Sequence, residues 1–217
     1  MTSDLAMQRD PIAEARVASL LDAATALFLE VGYGAFSLDQ LRSAQGESRR
    51  TAYTRFGGKE GLFGACVARL AGTITARFDS VDVGDGDLSA QLRQFGRIFA
   101  DAALDPAALA LHRVMVAEGE FFPNVAQAIY QSGRGRAVET VTPLLEAHRD
   151  DMCPSLAGMP PHALAEMFLA LVINEAQLQA LIDCDRLPLI TRAATARVDL
   201  AVTLFVNGIF GKDVEYG

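Results

Sequence analysis

Apolar residues recur at spacings of three and four along most of this 217-residue chain. The first such run, residues 12–31, puts its apolar side chains on one face of an amphipathic helix. Pro11 suits the first turn of that helix, and Gly32 suits its end. No segment alternates apolar and polar residues with a period of two, so the pattern predicts helices and no strands.

Two shorter helices are predicted directly after the first. Ser37 precedes an apolar helical pattern and has Gln40 three residues on, which is a capping box. Gly46 can end this second helix, and Ser48 can cap a third one that runs to about residue 55. Gly57 and Gly58 break the third helix. Two short helices joined by a glycine turn, with a helix before them, form a helix-turn-helix unit.

The remainder of the chain also follows a helical pattern. Helices are predicted over 59–78, 88–103, 106–118, 124–149, 161–183 and 189–210. Pro143 is expected to bend or split the helix over 124–149. The predicted fold is all-α with about nine helices in two domains. Residues 1–58, with a flexible N-terminus at 1–10, form the helix-turn-helix domain, and 59–217 form a helical ligand-binding and dimerisation domain.

Composition is compatible with a well-packed, non-membrane protein. Hydrophobic residues make up 51% of the chain and charged residues 21%, enough for a sizeable core. No uninterrupted apolar run reaches about 18 residues, and the N-terminus lacks a signal-peptide pattern, so we expect no membrane partner and a cytoplasmic location. The cysteines, Cys66, Cys153 and Cys184, are scattered and odd in number. Buried reduced thiols are the favoured interpretation, with a redox sensor as the alternative.

Charge is divided unevenly along the chain. The formal net charge is −8, which by itself disfavours a polyanionic partner. Yet residues 37–59 contain five basic and two acidic side chains, a local charge of +3, whereas residues 61–217 carry −7. The basic stretch is concentrated in "GESRRTAYTRF", residues 46–56. A small positive patch beside a large negative body indicates two separate roles.

Arginine and hydroxyl side chains at the start of the third helix have the chemistry that reads DNA. In a helix-turn-helix, the second helix enters the major groove with its N-terminal residues near the base edges. Arginine binds guanine O6 and N7 with two hydrogen bonds, and serine or threonine reaches bases or phosphates. Lys59 and Ser37 lie at helix starts that suit phosphates. On spacing alone, a solvated helix face is an equally good interpretation.

A wider match favours the DNA-binding interpretation. The chain has "LFLEVGYGAFS" at 27–37 and "GESRRTAYTRFGGKEGLF" at 46–63. From 17 to 67 it resembles the TetR family of bacterial transcriptional regulators, which reads roughly "LF.E.GY", then a Ser- or Thr-capped helix, then "G.S..T.Y.[HR]F..KE.L". The resemblance implies a domain that binds a double-stranded DNA operator. It places Ser48, Arg49, Arg50, Thr51, Tyr53 and Thr54 on the recognition helix, and Ser37 and Lys59 at phosphate contacts.

The chain departs from the family pattern at four positions. Arg42 replaces a small apolar residue, and Ala52 replaces a leucine. Glu47 stands where the family has an inward-packing valine, so we expect it to face solvent or to pair with a nearby arginine. Arg50 stands where relatives often have glycine or another small residue. Our hypothesis is that Arg50 contacts a base or phosphate and shifts operator preference.

Residues 88–210 resemble the C-terminal domain of the AefR-like branch of this family, best at "VAEGEFFPNVAQAIYQSGRGRA", residues 116–137. The resemblance implies a ligand-sensing domain for a small-molecule effector of unknown identity. Pocket candidates are apolar and amide-bearing residues that would equally suit an ordinary core. They are Phe95, Phe99, His112, Met115, Phe122, Tyr130, Met167, Phe168, Asn174 and Gln177. Asn174 and Gln177 share one face of an apolar helix and could bind an inducer or hydrogen-bond across a dimer.

The last two long helices are apolar enough to need a partner. The family implies a homodimer built on these helices, and a two-fold dimer would cover their strips. The residues predicted at that interface are Leu171, Leu178, Ile182, Val198, Val202, Phe205 and Ile209. The alternative is that the same strips pack within one subunit.

Enzyme chemistry finds no support in the motifs. The three histidines, His112, His148 and His162, form no metal-ligand spacing, and no GxSxG nucleophile motif occurs. We therefore expect no catalytic residue, no metal and no cofactor. The favoured function is a ligand-responsive repressor that binds a palindrome as a homodimer. The alternatives are an activator, a regulator without an effector, and a protein-interaction module with vestigial DNA binding.

Overall fold

The computed structural model describes residues 11–45, 54–79 and 86–211, and within them the backbone is helical or irregular, without a strand. The helices in chain order are α1 (Pro11–Ala35), α2 (Leu38–Gln45), α3 (Lys59–Asp79), α4 (Leu88–Ala103), α5 (Pro106–Glu118), α6 (Pro123–Tyr130), α7 (Arg136–Glu146), α8 (Pro154–Ala157), α9 (Pro161–Ile182) and α10 (Leu187–Phe210). A π-helical turn, Gln131–Gly135, joins α6 to α7. The predicted all-α class is confirmed.

Glycines at positive φ interrupt helical geometry at the points where the sequence predicted helix ends. Gly32 has φ 76°, which interrupts helical geometry inside α1. Gly57 and Gly58 have φ 76° and 124° and stand directly before α3. Residues with a Cβ rarely adopt this backbone region, so the chain can turn sharply at these points only because glycine is present. Of the predicted third helix, only residues from 54 onward are described, and 54–56 are helical.

The chain divides into two compact units, Met1–Leu70 and Ala71–Gly217. The division falls inside α3, twelve residues (70 − 58), or about three helical turns, beyond the predicted boundary between 58 and 59. In the first unit, three aromatic rings form the centre of the core. Phe28 stacks on Phe36 with centroids 3.8 Å apart and meets the edge of Phe63 at 5.0 Å. Burying side chains of this size contributes roughly 1.5–3 kcal/mol each.

In the second unit α9 occupies the centre, packed against α4, α5, α7 and α10. Its buried face includes Phe168, Leu169 and Val172. Phe168 contacts Phe205 of α10 with ring centroids 5.3 Å apart. Gly96 of α4 lies where an added Cβ would come within 2.9 Å of Val198 Cγ1, so its bare backbone allows α4 and α10 to approach closely.

The region predicted as one helix over 124–149 is divided differently from expectation. Pro143 lies inside α7 without splitting it, and the regular helix is interrupted upstream by the π-turn at 131–135. The short helix α8 had no counterpart in the sequence analysis.

By length and composition α9 could cross a membrane, since an 18-residue window in it has a mean hydropathy of 1.3. A helix at the centre of a helical core passes the same test, and eight residues of α9 are buried in this way. The helix is therefore weak support for a membrane span.

Candidate nucleic-acid interface and internal cavity

Most of the predicted recognition helix lies outside the described residues. This applies to Ser48, Arg49, Arg50, Thr51 and Tyr53, and also to Glu47 and its expected pairing. Thr54 is described and is exposed in the helical turn 54–56, next to the exposed Arg55.

Ser37 lies at the start of α2, as its capping-box pattern predicts. The Ser37 backbone N–H donates to Gln40 Oε1 at 2.7 Å, which is the return bond of a capping box. The neighbours Phe36 and Leu38 are buried, whereas Ser37 is exposed. Buried neighbours on both sides hold this turn in place and leave the Ser37 side chain at the surface of a helix N-terminus. Such a position suits a phosphate oxygen.

Lys59 joins the start of α3 to the same turn. Its Nζ donates to the Gly34 backbone oxygen at 3.3 Å and lies 4.5 Å from the centroid of the Tyr33 ring. The ammonium group is therefore held over the turn that leads into Ser37. An ammonium has three N–H donors, so a phosphate contact is chemically compatible with this arrangement.

A cavity of about 240 Å³ lies in the second unit. Six of the ten predicted pocket residues line it: Phe99, His112, Met115, Tyr130, Asn174 and Gln177. Four do not, and they belong elsewhere. Phe95 and Phe168 are fully buried in the core, Met167 is 53% exposed, and Phe122 is half-buried at the start of α6. Helical periodicity identifies buried and exposed faces, and it does not tell a solid core from a cavity wall.

The cavity also has walls that sequence reasoning missed. Small and aliphatic side chains make up most of them: Ala71, Ile74, Ala102, Ala103, Ala108, Leu111, Ile129 and Ile173. The π-turn adds Ser132, Gly133 and Arg134. Three alanines on α4 and α5 leave room that larger residues would fill, but alanine in a helix is too common to signal this.

The two amides singled out from the sequence both have partners within the chain. Gln177 Nε2 donates to the Ala103 backbone oxygen at 3.3 Å. Asn174 Oδ1 accepts a hydrogen bond from Arg134 Nη1 at 3.1 Å. Arg134 Nη2 also donates to the Glu166 backbone oxygen at 3.0 Å. The two Arg134 bonds attach the π-turn to α9, and the Gln177 bond attaches α9 to α4.

His112 presents a neutral ring to the cavity. Burial disfavours its charged form, and the nearby Arg113 charge adds to that effect, so the pKa of His112 lies below its ordinary value of 6.5. A neutral imidazole has one N–H donor and one acceptor. His112 is thus a polar group without charge at neutral pH.

The predicted dimer residues divide between two faces. Leu171, Leu178 and Ile182 of α9 are 45%, 54% and 77% exposed. By contrast, Val198, Val202, Phe205 and Ile209 of α10 are buried within one chain, so packing inside the subunit, the alternative weighed for them, is correct. The exposed apolar residues of α10 are Leu189, Leu200 and Leu204, which the sequence analysis did not select.

The three cysteines are free thiols that differ in their burial. Cys66 and Cys153 are buried free thiols, as expected, but Cys184 is exposed, which corrects that prediction. Arg113 Nη2 lies 2.9 Å from Cys184 Sγ. Among the described residues, no three His, Cys, Asp or Glu side chains are grouped to hold a metal ion.

Family models match both parts of the chain. Residues 20–66 match the model described as bacterial regulatory proteins, tetR family, and residues 90–208 match the AefR-like transcriptional repressor, C-terminal domain. The HTH-type transcriptional regulator AlkX of Mycobacterium tuberculosis is 35% identical over an alignment of 111 residues that covers 48% of this chain and 53% of AlkX. The alignment thus spans about half the length of this curated relative.

Solved structures share the fold. A tetR-family regulator from Mesorhizobium loti superposes with a TM-score of 0.69 at 20% identity, covering 90% of this chain and 98% of the other. The structure described as the flavonoid-responsive regulator FrrA gives a TM-score of 0.69 at 25% identity, covering 89% of this chain and 96% of FrrA.

Proposed function

Because this chain belongs to the tetR family of bacterial regulatory proteins, we propose that it is a homodimeric repressor that binds a palindromic operator and releases it when a small molecule fills the cavity. The family makes it a DNA-binding transcriptional regulator and not an enzyme. Its site of action is then the bacterial cytoplasm, where the DNA is.

The observation that carries the proposal is that α3 contributes to both functions. At its first residue, Lys59 lies over the turn that leads into Ser37. About three to four turns further on, Ala71 and Ile74 line the cavity. A ligand that changes the cavity wall therefore acts on the helix whose first turn supplies a phosphate-binding position. Release requires that the ligand bind one arrangement of the dimer more tightly than the other.

The cavity supports the effector half of the proposal. It is mostly apolar with a few polar groups, the composition typical of small-molecule sites. Its volume of about 240 Å³ exceeds the roughly 150 Å³ of an apolar cavity that accepts benzene. FrrA, described as flavonoid-responsive, has the same fold at 25% identity, so a small-molecule response has a counterpart among related folds.

The exposed apolar face of α9 and α10 supports the dimer. Its residues are Met167, Leu171, Leu178 and Ile182 on α9 and Leu189, Leu200 and Leu204 on α10. A face of this kind on two neighbouring helices marks an interaction surface. A second copy of the chain would cover it with the same residues. The dimer also gives two recognition helices, which a palindrome requires about 34–36 Å apart.

Binding to a palindrome from the DNA upstream of the protein's own gene tests DNA recognition. We expect the palindrome to be preferred over a shuffled duplex, with affinity falling steeply as salt rises because arginines and lysines displace counterions. Arg50→Gly should weaken or redirect that preference, whereas Arg149→Gln, a surface change outside the DNA-binding unit, should not. A shallow salt slope without sequence preference would favour the interaction-module alternative, for which the acidic body is the supporting observation.

A reporter fused to the promoter of the protein's own gene distinguishes a repressor from an activator. Deleting the regulator should raise expression if it represses. Lower expression would instead establish an activator.

A further inference from the structure

The charge on the described part of the cavity wall is of one sign, positive. Among the described residues that line the cavity, Arg134 is the one charged side chain, and no aspartate, glutamate or lysine accompanies it. This is unexpected in a protein with a net charge of −8. The other polar lining groups are neutral: the His112 ring at neutral pH, the Tyr130 and Ser132 hydroxyls, and the Asn174 and Gln177 amides.

The guanidinium of Arg134 is held in place by the fold. The π-turn at 131–135 carries Arg134 to the wall, and its two hydrogen bonds, to Asn174 Oδ1 and to the Glu166 backbone oxygen, fix it against α9. A guanidinium has five N–H donors, so these two bonds leave three for another acceptor. π-helical turns are frequent at functional sites, because they redirect a side chain out of the regular helical register.

Two of the neutral polar groups already donate hydrogen bonds within the chain. Ser132 Oγ donates to the Ile129 backbone oxygen at 3.0 Å, and Gln177 Nε2 is bonded to Ala103. Phe99, Leu111, Met115 and Ile173 add apolar side chains to the wall. The cavity thus joins one fixed positive group to a mainly apolar chamber.

We propose that the effector is an amphipathic organic acid, with its carboxylate on Arg134 and Asn174 and its apolar body against the helical walls. The inference deepens the proposed function and rests on it. A hydrogen bond from a guanidinium to a carboxylate is charge-assisted and is about twice as strong as a neutral one. A single cation in apolar surroundings suits one negative charge and disfavours a polyanion, whose further charges would lose their water unpaired.

Matched acids and amides test the inference by calorimetric titration of the full chain at pH 7.5. The pairs are 2-naphthoate with 2-naphthamide and octanoate with octanamide, so each pair keeps its apolar body and exchanges the carboxylate for a neutral amide. We expect at least one acid to bind at least about tenfold more tightly than its own amide, the ratio that one charged hydrogen bond supplies. Arg134→Gln should remove this ratio and Arg134→Lys should keep part of it.

Arg136→Gln is the matched control. Arg136 lies two residues away but pairs at the surface with Glu139 and does not line the cavity. It should leave the ratio unchanged. Failure of both acids to bind, a preference for acid over amide below about tenfold in both pairs, or an unchanged ratio in Arg134→Gln would overturn the inference. If Arg134→Gln does not fold by circular dichroism, the wild-type ratio and Arg134→Lys decide. If the ligand inference fails but the wild-type protein still prefers the palindrome, the proposed DNA recognition stands without this ligand class.

Discussion

At the scale of single residues, Gly96 shows how an absent side chain determines helix packing. An added Cβ would lie 2.9 Å from Val198 Cγ1 and 3.5 Å from Phe168 Cζ. Alanine normally favours a helix over glycine by about 1 kcal/mol. We expect the opposite at Gly96, where Gly96→Ala should lower the free energy of unfolding by about 1–3 kcal/mol through overpacking.

Urea unfolding measures this effect, with Gly72→Ala as its control. Gly72 lies inside α3, and its added Cβ would meet no atom within 4 Å. That variant should be neutral or slightly more stable. Equal stabilisation by both substitutions would contradict the close approach of α4 and α10 at Gly96.

The buried thiol of Cys66 gives a pH dependence. Burial is the main cause that raises the pKa of Cys66 from 9.0 to about 11. The unfolded chain therefore loses this proton near pH 9, while the folded chain keeps it until about pH 11. Unfolding is favoured as pH rises between these values, so the Cys66 contribution to stability is present below pH 9 and is lost above it.

Denaturant midpoints from pH 7 to 11 test this prediction. The denaturant midpoint of Cys66→Ala should decline less between pH 9 and 11 than the midpoint of the wild type. Below pH 8 the two midpoints should differ by a constant amount. Parallel curves across the whole range would rule the prediction out.

Some residue roles can be predicted from neighbouring residues in the sequence, and others depend on residues that are far away in the sequence. Ser37 and Gln40 stand three apart before an apolar helix, and the capping bond between them follows from that spacing alone. Arg134 gave no such signal, because its partners Asn174 and Glu166 are 40 and 32 residues away in sequence. The two glycines beside it, Gly133 and Gly135, were the available hint that regular helix is interrupted there.

At the scale of elements, the sequence predicted where helices lie better than which apolar face each one buries. α10 has two apolar strips, one with Val198 and Val202 and the other with Leu200 and Leu204. Both recur at helical spacing, so periodicity cannot assign one to the core and the other to a partner. Packing against α4 and α9 settles the assignment for one chain.

The outer strip of α10 should control assembly. Leu204 is 57% exposed, so Leu204→Glu adds a charge to the proposed dimer face without disturbing the core of one chain. We expect the mass in solution to fall from two chains to one, as measured by light scattering. Val116→Glu is the control, because Val116 is 71% exposed on α5, a helix that contributes no residue to that face. A Leu204→Glu protein that remains dimeric would place the interface elsewhere.

At the scale of the whole molecule, charge divides the chain into a small basic DNA-binding part and a larger acidic body. The division was visible in the sequence, since residues 37–59 carry +3 and 61–217 carry −7. The cavity was not, because it depends on which helices meet and on where small residues fall among them. The link between the two parts, α3, was predicted as a helix, but only the structure places Ala71 and Ile74 on the cavity wall.

The most direct test of a dimer that reads DNA is the stoichiometry and affinity on a full palindrome compared with a single half-site. Mass photometry and fluorescence anisotropy on the duplex from the protein's own promoter supply both quantities. Chains should bind the palindrome in pairs, and the half-site should bind roughly 100-fold or more weakly because the second contact is lost. Single chains that bind the half-site as tightly as the palindrome would contradict the account.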